Sequence, residues 1–171
     1  ANLVSLQGDL TIDMSKSNAA GDIASISASG ITISLGAAGN FSANLVDASK
    51  AMTLDGSAAV SADLTLTAVS AEDAISITVA GSANVASTNM DTVGSFTFSA
   101  AGASESVDIT DISASGISIT TGLQGDLSAS AINSVSTITV DASGATTAQG
   151  ITMTSVSASG AISITLGAGS G

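Results

Sequence analysis

Eight near-identical tetrapeptides stand in register along this chain, and they limit its fold more than any other feature. LTID at 10–13, ITIS at 31–34, MTLD at 52–55, ISIT at 75–78, FTFS at 96–99, ISIT at 117–120, ITVD at 138–141 and ISIT at 162–165 begin 21, 21, 23, 21, 21, 21 and 24 residues apart. The phrase that follows each of them comes in two forms. Its SASG-like version opens at Ile26, Val69, Ile112 and Val156, 43, 43 and 44 residues apart. A basic unit of about 21 residues therefore alternates in two forms, giving a two-unit repeat of about 43. Self-similarity at such a period is the mark of a stacked architecture, in which one unit cannot bury its apolar side without its neighbours.

Each unit has one grammar. A four-residue alternating strand comes first, then a glycine-bearing turn (Gly36, Gly56, Gly81, Gly102, Gly122, Gly144, Gly167). A second alternation follows, such as Phe41/Ala43/Leu45, Leu64/Leu66, Val107/Ile109, Leu127/Ala129 or Ile151/Met153, and a small-residue segment such as Ser113-Ala114-Ser115-Gly116 closes the unit. Three short extended segments separated by turns predict one coil of an all-β parallel β-solenoid, about eight coils in all; the usual crossover preference predicts a right-handed one. The predicted inner ladder runs Leu10/Ile12, Ile31/Ile33, Met52/Leu54, Ile75/Ile77, Phe96/Phe98, Ile117/Ile119, Ile138/Val140 and Ile162/Ile164. Thr32, Ser76, Ser118 and Ser163 should face solvent while Ile33, Ile77, Ile119 and Ile164 are buried. The absence of Pro agrees with coils that all donate to their neighbours.

Composition removes most chemistry. The chain has no His, Cys, Pro, Trp or Tyr, so it has no imidazole base, thiolate or disulfide, and its many serines have no activating partner. An enzyme is not expected. A net charge of −12, with only two cations, argues against nucleic acid, where Lys and Arg must replace counterions. No apolar run reaches the ~20 residues of a spanning helix, and three Phe cannot build the aromatic girdles of a membrane barrel. Membrane insertion is therefore not expected either.

Three features could carry a function. Asp22, Asn40, Asp63, Asn84, Asp108 and Asp126 each precede an apolar residue, with Gly150 in that place in the last full coil. This predicts a corner where Asn, Asp or Gly tolerates left-handed backbone. The alternative is a calcium corner built from Asp22, Asp63, Asp108 and Asp126, since carboxylate oxygens suit a hard cation. No other cofactor is expected. The outward ladder, from Thr11/Asp13 to Ser163/Thr165, is a Thr/Ser array of the kind that meets ice or a ligand, interrupted by Asp in three of eight rungs, Asp13, Asp55 and Asp141. Lys16 and Lys50 read as exposed lysines.

VDASGAT at 140–146 and ITLGAGSG at 164–171 resemble the Ser/Thr/Gly/Ala-rich repeats of giant bacterial surface proteins, namely β-solenoid adhesins and the repeat regions of S-layer proteins. The resemblance implies secretion, a cell-surface or matrix location, and an architectural role as a fibre, stalk or surface layer. An adhesin or ice-binding module is the alternative it leaves. The calcium-binding nonapeptide of such proteins is absent. The whole of 1–171 reads as one solenoid domain, an uncapped segment of a longer array. Ala1-Asn2-Leu3-Val4 matches Ala43-Asn44-Leu45-Val46, and Gly171 falls level with Asn40, so both ends lie in mid-coil and the segment is close to four 43-residue repeats. Its expected partners are further copies or flanking repeats, end to end.

Overall fold

The alternating tetrapeptides form strands in the computed structural model, which describes residues 3–38, 40–61, 63–81, 84–100, 106–122, 126–144 and 150–167. The predicted turn at Gly102 and the end positions Ala1, Asn2 and Gly171 lie outside these. The short strands are β2 (Leu10–Asp13), β4 (Ile31–Ser34), β6 (Met52–Gly56), β8 (Ile75–Val79), β10 (Ser95–Ala100), β12 (Gly116–Thr121), β14 (Ile138–Ala142) and β16 (Ile162–Leu166). Between them lie eight-residue strands: β3 (Gly21–Ala28), β5 (Phe41–Ala48), β7 (Leu64–Ala71), β9 (Val85–Thr92), β11 (Val107–Ala114), β13 (Leu127–Ser134) and β15 (Ile151–Ala158). The two-residue β1 (Val4–Ser5) precedes them all.

Long strands pair only with long strands, in the order β1-β3-β5-β7-β9-β11-β13-β15, and short with short, from β2 through to β16. Every pairing is parallel. The chain is thus a parallel β-solenoid of about seven complete coils, each one short and one long strand, with β1 and β16 adding half a coil at either end. No helix occurs among the described residues.

The inner ladder has the predicted register. Leu10 pairs with Ile31, Ile31 with Met52, Met52 with Ile75, Ile75 with Phe96, Phe96 with Ile117, Ile117 with Ile138 and Ile138 with Ile162. Ile33, Ile77 and Ile119 are fully buried, while Thr32 and Ser163 are exposed and Ser76 and Ser118 half-buried among their outward neighbours. Ile164 differs from expectation. It is 46 % exposed, because β16 lies at the end of its sheet and only β14 covers it.

The three predicted segments are two strands. The second alternation and the small-residue segment join into one eight-residue strand that changes face halfway: β5 buries its first, third, sixth and eighth residues and exposes the fourth and fifth. Partner registers step over the fourth residue in each of these strands from β3 to β15. The backbone bends there, and a period-2 pattern extended through the bend points the wrong way. Leu45, predicted inward, is therefore 45 % exposed, and Val46 takes its place in the core. In β15 the skipped residue, Thr154, donates its hydroxyl to the Ser130 carbonyl at 2.7 Å.

Most of the variation in unit length falls at one corner. The two long steps, 23 and 24 residues, contain the long links after β6 and β14, whereas long strands return to short ones within a few residues. Insertions can gather there without shifting any ladder. Gly81 in that corner has φ +67°, a left-handed conformation that favours glycine, and a Cβ would meet the carbonyls of Ala59 and Val60 in the coil before.

Between the two sheets runs one column of Ile, Leu, Val, Met, Phe and Ala. Each fully buried aliphatic side chain contributes about 1.5–3 kcal/mol. At the eighth position of the long strands Ala28, Ala48, Ala71 and Ala114 are replaced in two coils by Thr92 and Ser134, which donate to the carbonyls of Asp73 (2.7 Å) and Ser115 (3.0 Å). The buried hydroxyls of Ser87 and Thr121 have no hydrogen-bond partner among the described residues.

Replacing Ile119, packed between Phe98 and Val140 in its ladder, with Asp should destabilise severely, by several kcal/mol, because an unpaired charge enters an apolar column. Ser118→Asp, one residue away on the outer face, should change stability by about 0.5 kcal/mol or less. Comparable losses in the two variants would contradict the register.

Candidate functional site

The outward residues form continuous files, one member per coil at about 4.8 Å spacing. Beside the inner ladder run Thr11, Thr32, Thr53, Ser76, Thr97, Ser118, Thr139 and Ser163, and then Asp13, Ser34, Asp55, Thr78, Ser99, Thr120, Asp141 and Thr165, as the sequence predicts. On the long-strand sheet a file of different composition runs Ser27, Asp47, Ser70, Asp91, Ser113, Asn133 and Ser157.

A rule unites these files: among the described residues no strand register pairs a carboxylate with another carboxylate. Two like charges about 5 Å apart on a wet surface repel by roughly 1 kcal/mol, and a column of them multiplies that penalty. Charge must therefore skip a coil. Asp47 and Asp91 lie two coils apart with Ser70 between them, as Asp13 and Asp55 do with Ser34 between. This spacing accounts for a repeat of two coils instead of one.

The corner file is partly as expected. Parallel pairing of Gly21, Phe41, Leu64, Val85, Val107, Leu127 and Ile151 places Ala20, Asn40, Asp63, Asn84, Ser106, Asp126 and Gly150 in one file. Asp22 and Asp108 lie two residues further on, paired with Ser42 and with Ala86 and Ser128. A two-residue shift preserves the inward–outward pattern of a strand, so alternation alone cannot separate the two positions. The structure thus divides the four calcium-corner carboxylates between two files. Among the described residues no group of three or more Asp, Glu, His or Cys side chains could hold a metal ion.

The left-handed corner is also corrected, since no non-glycine residue among those described has positive φ. Asn and Asp stand there for their side chains. Asp63 donates its N–H to Asn40 Oδ1 at 2.9 Å, and its carboxylate accepts Asn84 Nδ2 at 2.9 Å and Asn40 Nδ2 at 3.4 Å. Ser106 continues the chain by donating to Asn84 Oδ1 at 3.3 Å, and the Gly150 N–H donates to Asp126 Oδ1 at 2.8 Å. Amide donors on the coils before and after meet the Asp63 charge.

Asp13, Asp55 and Asp141 have a role that sequence reasoning missed. Each accepts the N–H of the residue two further on, Ser15, Ser57 or Ser143, at 2.9 Å, closing the turn that ends its short strand. The signal was present as Asp-x-Ser, an Asx turn. The serine side chain and its backbone N–H hold each carboxyl below the ordinary aspartate value of 3.8. Asp13, Ser15, Ser34, Asp55 and Ser57 line a shallow trough of about 240 Å³. Lys16 and Lys50 are exposed, as expected. Comparison with family models, curated proteins and solved structures returns no match for this chain.

Ser34→Asp would put a third carboxylate between Asp13 and Asp55, whereas Ser118→Asp meets only Thr97 and Thr139. In low salt the first should lower the thermal midpoint by the equivalent of about 1 kcal/mol more than the second, and molar salt should erase the difference. A salt-independent difference, or none, would contradict charge skipping.

A pH titration followed by NMR should find Asp13, Asp55 and Asp141 titrating below 3.8. A depressed folded-state pKa contributes stability above the unfolded value, and that stability is lost as pH falls through the depressed one. Normal midpoints at all three would remove the turn from the account.

Proposed function

We propose that the chain is an extracellular structural repeat segment that forms a fibre, stalk or surface layer of a microbial cell and performs no catalysis. The observation that carries this reading is the unbroken order of both sheets, with every inter-coil hydrogen bond running along the axis of the stack. Such a body extends by adding coils, each contacting only its neighbours. Its partners are copies of itself or flanking repeats, joined end to end. The spaced carboxylates keep its sides mutually repulsive and hydrated, which suits a solitary thread outside the cell. Calcium enters this reading only as a ligand of exposed carboxylates and is not required by it.

One observation favours a second reading, an adhesin or ice-binding face. Ser76, Thr78, Thr97, Ser99, Ser118 and Thr120 occupy three successive rungs of the short-strand sheet without an acid. A thermal-hysteresis assay reads that activity directly, and its absence leaves the structural role alone.

Gold-labelled antibody against the chain should decorate unpermeabilised cells along threads or a continuous layer. Label that appears only after permeabilisation would overturn the extracellular role. The purified chain should hydrolyse glycosides, esters and peptides no faster than buffer. Turnover lost on replacing Asp63 or Asp126 would overturn the non-enzymatic part.

A further inference from the structure

Four polar side chains are buried among the described residues, and all of them lie on β9, β12 and β13: Ser87, Thr92, Thr121 and Ser134. In the strands from β5 to β8 no buried side chain is polar. Two of the four are satisfied, since Thr92 and Ser134 donate to the carbonyls of Asp73 and Ser115. The other two are not. Ser87 on β9 stands in the column of Leu66 and Ile109, and Thr121 on β12 stands beside Ala100. Neither hydroxyl has a hydrogen-bond partner among the described residues.

We infer that the stretch from β9 to β12 is a soft segment of the stack, which opens locally while the coils of β5 to β8 stay closed. A hydroxyl buried without a partner has lost its bonds to water and gained none, and it recovers them whenever the strand that carries it opens. The two unpaired hydroxyls lie on the first and last strands of the stretch, so one opening relieves both. Bulk is not what is missing. Phe96 and Phe98, fully buried on β10, are larger than the isoleucines that pair with them on β8 and β12. Stability in such a stack is a sum of coil and interface contributions, so a deficit in one place stays local. The least stable stretch is then the first to open.

The opening itself stands on the buried hydroxyls alone, and its use rests on the fibre reading. In a fibre, a soft segment gives the thread a fixed interior place at which to bend or lengthen, and β5 to β8, with their apolar core, serve as the rigid spacer. The Thr92 hydroxyl donates to the Asp73 carbonyl and accepts the Gly94 N–H at 3.2 Å. It ties the turn after β9 to the preceding coil and so marks the register in which the segment recloses.

Native-state hydrogen exchange on the purified full chain reads opening strand by strand. After correction for intrinsic rates, the inter-coil amides of β9 and β12 should exchange about tenfold faster than those of β5 and β7. The Ser87→Ala/Thr121→Val variant removes both hydroxyls and keeps the core filled. It should slow exchange in β9 to β12 by about tenfold or more and leave β5 to β8 unchanged. Ser113→Ala, which removes an exposed hydroxyl from β11, should leave all these rates as they are. Equal protection of the two stretches, no slowing in the double variant, or equal slowing by Ser113→Ala would overturn the soft segment. Exchange is read on the purified chain and surface labelling on cells, so the segment and the extracellular role fail separately.

Discussion

In both sheets of this molecule the paired strand residues are stacked on their counterparts in the neighbouring coils. Parallel coils in register put like above like at about 4.8 Å, so any property of one position is repeated along a column. For an aliphatic side chain repetition is favourable, and it builds the inner ladder from Leu10 to Ile162 without a large residue count in any single coil. For a carboxylate repetition is unfavourable. The acids accordingly alternate with Ser, Thr or Asn, as in Ser27–Asp47–Ser70–Asp91–Ser113, or sit between amide donors, as Asp63 does between Asn40 and Asn84. The doubled repeat in the sequence is the trace of that conflict between a single-coil structural period and a charge that cannot recur in every coil.

The same constraint connects fold to role. A coil paired with the coils before and after it repeats its surface positions along the stack, so the polar side chains of the described strands lie in files. What such a body does well is to extend. Its two sheets continue through the stack, its length varies in units of one coil, and insertions gather at the corner after the short strands, where they leave the ladders undisturbed.

Much of this was legible in the sequence, and the exceptions have physical causes. The short strands and their register could be read residue by residue, because each is a strict alternation bounded by turns and repeated eight times. The long strand was harder. Its bend inverts the alternation at Asn44-Leu45, so Leu45 read as core and is exposed. Asp22 and Asp108 read as corner residues because a two-residue slip leaves the face of every side chain unchanged. Asn40, Asp63 and Asn84 were found for the wrong reason, as left-handed turn formers, when their side chains bond from coil to coil. Such bonds join residues 21 to 23 apart, so they follow only from the register of neighbouring coils.

The central claim is that coils stack along the long axis of the assembly that the cell builds. Oriented X-ray diffraction from native fibres or layers tests it most directly. The account predicts a sharp reflection near 4.8 Å along the fibre axis, from the coil spacing. It also predicts a weaker order at about twice that spacing, from the alternating coils. A 4.8 Å reflection perpendicular to the fibre axis would mean that strands run along the fibre, and would contradict the account.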